Sequence, residues 1–438
     1  MSQQRLIQAL TSLDSNEIDR VFGQEASHLS LPTIVNQAPV RRVALFAESF
    51  FPKVDGVAKS AYLTLRYLQQ TGREVMVFAP DIAPYNVGPS QVVPLPSVGL
   101  PFAPETRVAI PAPSIRAHLD AFLPDLIHLF SPVAMSVGGM WEGRRRNIPV
   151  IANYQTDLPA YTQHYGMGFL TTAMLDWLRY IHNGCHLTLA PSGYTMRQLE
   201  QQNYKRLRLW GRGVDLERFS PRRRSPAIRE RLLQGRDPGS LVCLYVGRLA
   251  SEKRIDLLVE IARLPGVVLA LVGDGAERDN LEMLFEGTNA VFTGYMYGND
   301  LADAYASADI FVFPGPSETF GQVVQEALAS GLPAVIINQG GIIDLVTDGV
   351  NGFVCPADPN AFAQAVKRLQ DSPDLRQRMS RQSRQFAERR PWPVIMSRLE
   401  GYYQEAVDIN YQWSHMRDSW SLSQRTKALL QGRYYRIS

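Results

Sequence analysis

With 438 residues, 45% of them apolar and 20% charged, the chain is too long for one ordinary hydrophobic core and too apolar for a disordered polymer; two domains of about 150–200 residues are expected. The small net charge of +3 hides an asymmetry, because residues 41–212 carry 17 Lys and Arg against 11 Asp and Glu, whereas residues 213–394 carry 20 against 23. No run approaches the roughly 18–20 apolar residues of a membrane span, and Leu6, Ile7, Leu10 and Leu13 are too scattered for a signal peptide, so Cys185, Cys243 and Cys355 read as buried free thiols in a reducing cytoplasm.

In chain order, residues 1–40 form an extension with one weak amphipathic pattern. The first strand is predicted at Val43 to Ala47. A loop, Glu48 to Gly56, then leads into a helix with Val57, Ala61, Leu65 and Leu68 on one face and Gly72 beyond its end, and Val75 to Ala79 follows as a second strand. This βαβ order demands a parallel sheet with a right-handed crossover. Leu126 to Leu129, Val150 to Asn153 and Leu187 to Ala190 extend it. Tyr154-Gln155-Thr156-Asp157 follows one of these strands, which aims its side chains at a cleft; Asp157 either meets a substrate or caps the next segment. His182, Cys185 and His186 lack a second ligand pair for a metal and read as structural. The basic runs Arg144-Arg145-Arg146 and Arg222-Arg223-Arg224 come with no nucleic-acid motif, leaving solubility or anionic lipid headgroups as their partners.

From Gly211 to Pro226 the Gly-, Pro- and Arg-rich composition reads as a linker. A second alternation of strands and helices opens with Leu241 to Val246, which runs into Gly247-Arg248-Leu249-Ala250-Ser251-Glu252-Lys253. Two cations five residues apart at a strand's carboxyl end suit a diphosphate, and their rival reading is a surface ion-pair network with Glu252 and Asp256. Val267 to Val272 ends at Gly273-Asp274-Gly275, and the next strand ends at Phe292-Thr293-Gly294-Tyr295. Glu318-Thr319-Phe320-Gly321 then enters a helix that carries Glu326 and stops at Gly331. Free backbone N–H groups at such a helix start can receive a phosphate or sugar oxygen. At ~1.5 Å per residue the two carboxylates are up to about 12 Å apart, beyond the ~5–9.5 Å of a glycosidase pair, so they suit two parts of one long ligand. Trp392 to Val407 has the length of a helix, and Asn410 to Ser438 reads as an added tail.

The order of VGRLASEK, LVGDG, VFTG, FVFPGPSETFGQVVQEALASG and GGIIDLV resembles the group 1 glycosyltransferases from about Arg42 to Tyr403. The resemblance implies a GT-B fold, α/β with two doubly wound Rossmann-like domains facing a cleft. Residues 41–212 would form the acceptor side, 213–395 the nucleotide-sugar side, and 396–438 a crossing helix and tail. Tyr154-Gln155-Thr156-Asp157, Leu209-Trp210-Gly211-Arg212-Gly213-Val214-Asp215 and Gln325-Glu326 look most similar to GDP-mannose-dependent α-mannosyltransferases acting on lipid acceptors, with sulfoquinovosyl-diacylglycerol synthases next.

By that resemblance Arg248 and Lys253 neutralise the leaving diphosphate, Glu318 orients the sugar, Thr319, Phe320 and Gly321 bind sugar and phosphate oxygens, and Glu326 takes the ribose hydroxyls. Gly247, Asp274 and Gly294 fall on the nucleotide side, with Asp274 near the base. Asp55-Gly56 stands where many members have two glycines, which leaves the close phosphate approach to Gly56 or reduces the segment to a capped helix start; Lys59 points at cleft or solvent. Gln155 stands where many relatives have a histidine and cannot act as acid or base. No Asp-x-Asp holds a divalent ion near a strand end, so no metal and no cofactor is expected beyond the GDP-mannose or UDP-sugar donor. The acceptor is a lipid or glycan, nucleic acid is not a partner, and the location is the cytoplasm or the inner face of the membrane. Rivals are a UDP-sugar glycolipid synthase, a non-catalytic nucleotide-sugar sensor and a glycoside hydrolase or phosphorylase. The missing G-x-G-x-x-G argues against a dehydrogenase.

Overall fold

The computed structural model describes residues 40–50, 56–100, 103–155 and 171–430. The first α/β unit is built on strands β1 (Arg42–Ala47), β2 (Glu74–Pro80), β3 (Asn86–Val87), β4 (Ser90–Leu95), β7 (Leu126–Phe130), β8 (Val150–Asn153), β9 (Leu187–Ala190) and β10 (Leu207–Leu209); β5 (Ser97–Leu100) and β6 (Ala103–Ala109) pair separately. Its order is β10-β9-β8-β7-β1-β2-β4-β3, parallel except at the β3–β4 edge. Residues of β1 alternate between two cores. Val43, Leu45 and Ala47 face one, shared with Ala61, Leu65 and Leu68 of the helix Gly56–Gln70, while Ala44 and Phe46 face the other, shared with Met135, Met140 and Ile181. That period of two, with apolar residues on both faces, makes this a sheet covered by helices on each side.

The second unit carries β11 (Leu241–Val246), β12 (Val267–Val272), β13 (Ala290–Gly294), β14 (Ile310–Phe313), β15 (Ala334–Ile337) and β16 (Gly352–Cys355), all parallel, in the order β13-β12-β11-β14-β15-β16. Chain order reverses between β11 and β14, and in such sheets ligands bind at the carboxyl ends beside that reversal. One core of buried side chains surrounds it.

The last helix, Trp392–Leu430, returns to the first unit. Ile395, Leu399, Tyr403 and Ala406 repeat every three or four residues and, with Met396, pack into the β1 core, while Trp210 Nε1 donates to Ile395 O at 3.0 Å and Tyr402 Oη to Leu209 O at 2.8 Å. Asn410, expected to begin a tail, lies inside the helix, with Nδ2 donating to Asn147 O at 2.9 Å. No Gly or Pro interrupts residues 402–430, so nothing in the backbone chemistry stops the helix there. No helix among the described residues is long and apolar enough to cross a membrane.

Candidate active site

The carboxyl ends of β11 and β14 bring Lys253 and Glu318 together. Lys253 stands on a short 3-10 turn, Ser251–Lys253, and its Nζ donates to Glu318 Oε1 at 2.5 Å, with the lysine side chain 14% exposed. Arg248 lies nearer solvent, 48% exposed, and its guanidinium pairs with Glu252 at 2.5 Å. Asp256, considered as a partner for this pair of cations, bonds Arg254 instead. Gly247 follows β11 directly and donates its N–H to Val272 O at 3.0 Å.

The loop after Glu318 is shaped by glycine. Gly321 caps the helix Gln322–Ala329 with φ +87°, and a methyl group there would lie 2.3 Å from Ile342. Gly341 donates to Glu318 O at 2.6 Å, and a methyl group on it would lie 2.0 Å from Thr319 O. The two distant motifs are therefore one built loop, with Phe320 buried beneath it. Glu326 is the fifth residue of the helix. Its carboxylate, 7% exposed, faces Lys59 Nζ at 3.3 Å and the Tyr305 hydroxyl at 3.4 Å. Burial pushes its pKa up, and the nearby Lys59 and Arg218 charges pull it back.

Lys59 belongs to the first unit, so this pair spans the cleft. The lysine turns to the cleft, one of the two directions open to it from sequence. Around it, Thr319 Oγ1 donates to Gln155 O at 2.8 Å, Thr195 Oγ1 to Thr319 O at 3.1 Å, and Tyr194 N to Asp344 Oδ2 at 2.9 Å. Gln155 Nε2 donates to Ser60 Oγ at 3.3 Å, while its Oε1 is buried without a hydrogen-bond partner among the described residues. The Arg212 guanidinium lies over Gly56, where a methyl group would come 2.7 Å from Nη1. Asp55 and Asp157 lie outside the described residues.

Asp274 and Gly294 meet at the ends of β12 and β13. Gly273 N donates to Gly294 O at 3.0 Å, and the Asp274 carboxylate accepts from Gly275 N at 2.8 Å and from Arg278 Nη1 at 3.2 Å. Beside them Tyr295 and Tyr297 are exposed and stacked, 5.6 Å between ring centroids; Tyr295 Oη donates to Asp274 O at 3.2 Å. Sequence reasoning missed Tyr305, which stands in no motif, and named Arg212 only within the run Leu209 to Asp215, without a role. His182, Cys185 and His186 are buried in the first unit, where desolvation holds both histidines down at about 3 and the thiol up at about 12, which fits packing. Among the described residues no group of three or more His, Cys, Asp or Glu comes together to hold a metal ion.

Comparison with known proteins identifies the same two halves. The family model "Glycosyl transferases group 1" matches residues 229–386 and "Glycosyltransferase Family 4" residues 54–218. The chain is 39% identical over 378 residues to a GDP-mannose-dependent alpha-mannosyltransferase of Mycobacterium tuberculosis, covering 84% of this chain and 97% of that protein. It is 32% identical over 405 residues to the sulfoquinovosyl transferase SQD2 of Arabidopsis thaliana, covering 90% and 79%. Sucrose-phosphate synthase from Thermosynechococcus elongatus shares the fold with a TM-score of 0.67 at 20% identity, over 83% of this chain and 98% of that one.

Proposed function

The chain belongs to the group 1, family 4 glycosyltransferases, and from that premise we propose that this retaining enzyme moves a mannosyl residue from GDP-mannose to a lipid or glycan acceptor at the inner face of the membrane. The observation that carries the reading is the Lys253–Glu318 pair at the carboxyl ends of β11 and β14, in a chain so similar to a GDP-mannose-dependent relative along nearly its whole length. In this reading residues 213–395 hold the donor and residues 41–212 the acceptor, with the helix Trp392–Leu430 crossing back; the basic excess of the first half favours an anionic lipid surface.

In the proposed reaction the bond from the sugar's C1 to the diphosphate breaks while the acceptor oxygen bonds C1 on the same face, and the acceptor's proton passes to the departing phosphate oxygen. Charge grows on that oxygen as the bond breaks. Lys253 and Arg248 stabilise it, which lowers the barrier because the interaction is stronger in the transition state than in the ground state. Lys253 must let go of Glu318 to do so, which frees the carboxylate to accept sugar hydroxyls. The amides of Thr319, Phe320 and Gly321 bind sugar and phosphate oxygens, Gly56 and Gly247 let backbone approach the diphosphate, and Glu326 accepts the ribose hydroxyls. Asp274 and Gly294 border the base. Asp157, from the segment after β8, is assigned to the acceptor side.

A thermal-shift series with GDP-mannose, UDP-glucose and ADP-glucose tests the donor. Ligand at about 100 times its Kd stabilises by about 2.7 kcal/mol, so GDP-mannose should raise Tm most. A second reading, a UDP-sugar glycolipid synthase, is favoured by the similarity to the sulfoquinovosyl transferase over 90% of this chain. Stabilisation by the UDP-sugar alone would select it.

A further inference from the structure

Glu326 and Lys59 face each other across the cleft from helices of different units, 3.3 Å apart and 267 residues apart in sequence. The lysine side chain is 44% exposed and the carboxylate only 7%. The other groups facing the carboxylate are the Tyr305 hydroxyl, from the helix Gly298–Ser307, and the Arg218 guanidinium, from the segment after the linker glycines. A buried carboxylate gives up its charge unless cations and donors compensate for the water it has lost.

The protonation state matters for what this group can hold. An ionised carboxylate only accepts hydrogen bonds, so it matches a diol that presents two O–H donors. A protonated one carries an O–H of its own, which needs an acceptor and repels one of those donors. We propose that Lys59 is a positioning residue for the donor: reaching over from the acceptor-side unit, it keeps Glu326 ionised and oriented to accept both ribose hydroxyls of a nucleoside diphosphate. This rests on the assignment of Glu326 to the ribose. It follows that the ribose site is complete only when the two units stand together, because the cation bonded to its carboxylate comes from the acceptor-side wall, whereas Arg218 acts on it from the carboxylate's own unit. Burial drives the carboxyl's pKa up and Lys59 is the largest influence drawing it down, in agreement with this role.

The test is calorimetric titration with GDP and with 2′,3′-dideoxy-GDP between about pH 5.5 and 8.5, on the wild type, Lys59→Met, Lys59→Arg and Glu326→Gln. Removing the cation lets Glu326 take up a proton at higher pH. The loss of GDP affinity in Lys59→Met relative to wild type should therefore deepen several-fold from the alkaline to the acidic end, because a carboxyl without its cation is protonated over more of that range. The nucleotide's own phosphate ionisation near pH 6 is common to all variants and cancels in that ratio. Lys59→Arg should restore the wild-type profile, and the dideoxy compound should show no such deepening. A Lys59→Met profile parallel to wild type, merely displaced, overturns the proposal. Wild-type GDP binding by Glu326→Gln at every pH would instead remove the ribose assignment beneath it.

Discussion

The two walls of the cleft are built from the same kind of layered unit but contribute different things. The second unit supplies both carboxylates, Lys253, Arg248 and Asp274, nearly all at the carboxyl ends of an all-parallel sheet. The first unit offers Gly56, Lys59, the Gln155 carbonyl and an excess of basic charge. Their ion pairs differ accordingly. Lys253–Glu318 is closed within one unit, whereas Lys59–Glu326 exists only between two. The difference is that Glu318 finds its cation within its own unit, while Glu326 is bonded to a cation of the other.

The sharpest way to break that contrast is to remove the cations of the second unit. Lys253→Ala should cut turnover by roughly 10²–10³, the range for losing one preorganised electrostatic partner of a developing charge. Arg248→Ala should cost less, because its guanidinium is half exposed and already occupied by Glu252. Steady-state kinetics on variants with unchanged circular dichroism decide this, and near-normal rates in both would refute a role at the diphosphate. Next in size, Gly321→Ala places a side chain at φ +87° and 2.3 Å from Ile342. A loss of at least about 1–2 kcal/mol is expected from the backbone alone, together with weakened donor binding, read by denaturant unfolding and titration.

The units should also part company in acid. Burial holds His128 down at about 4 and His182 and His186 at about 3, all in the first unit, and residues 187–414 contain no histidine. An unfolded histidine takes a proton near its ordinary 6.5, while these folded ones refuse it. Stability is therefore present above pH 6.5 and is lost as pH falls from there towards 3–4, by roughly 1.4 kcal/mol per histidine for each pH unit in that window. Glu48, raised by burial in the same unit, opposes the trend with a single group. Hydrogen exchange at pH 6.5 and 4.5 should show β7 to β9 losing more protection than β11 to β15; the reverse would mean that other groups govern acid stability. The smallest expected effect is none: activity should survive excess EDTA, since on the proposed reading Lys253 and Arg248 offset the diphosphate charge. An absolute need for Mg²⁺ or Mn²⁺ would show that the phosphate assignment is incomplete.

Most of the fold was legible because it is written in local patterns. Leu241 to Val246 and Val267 to Val272 are uninterrupted apolar runs ending at glycine, and each is a strand with those bounds. The short edge strands β3 and β10 were not, since two or three mixed residues carry no period. The helix through Asn410 escaped for a related reason, as its apolar face thins out without any stop signal. In the site, the loop Glu318 to Gly321 and the glycines of GGIIDLV could be read as separate motifs. That Gly341 sits on the Thr319 carbonyl, or that Lys59 finds Glu326, depends on which distant segments fold together, and spacing along the chain holds no record of that.

The division of labour between the two carboxylates is the claim on which the rest depends, and calorimetric titration of Glu318→Ala and Glu326→Ala with GDP and with GDP-mannose tests it directly. Glu326→Ala should weaken both ligands by about 1.5–3 kcal/mol, the range for a charge-assisted hydrogen bond. Glu318→Ala should leave GDP affinity almost intact and impair only the intact donor. If Glu318→Ala abolishes GDP binding while Glu326→Ala leaves it unchanged, the two residues have been assigned the wrong way round.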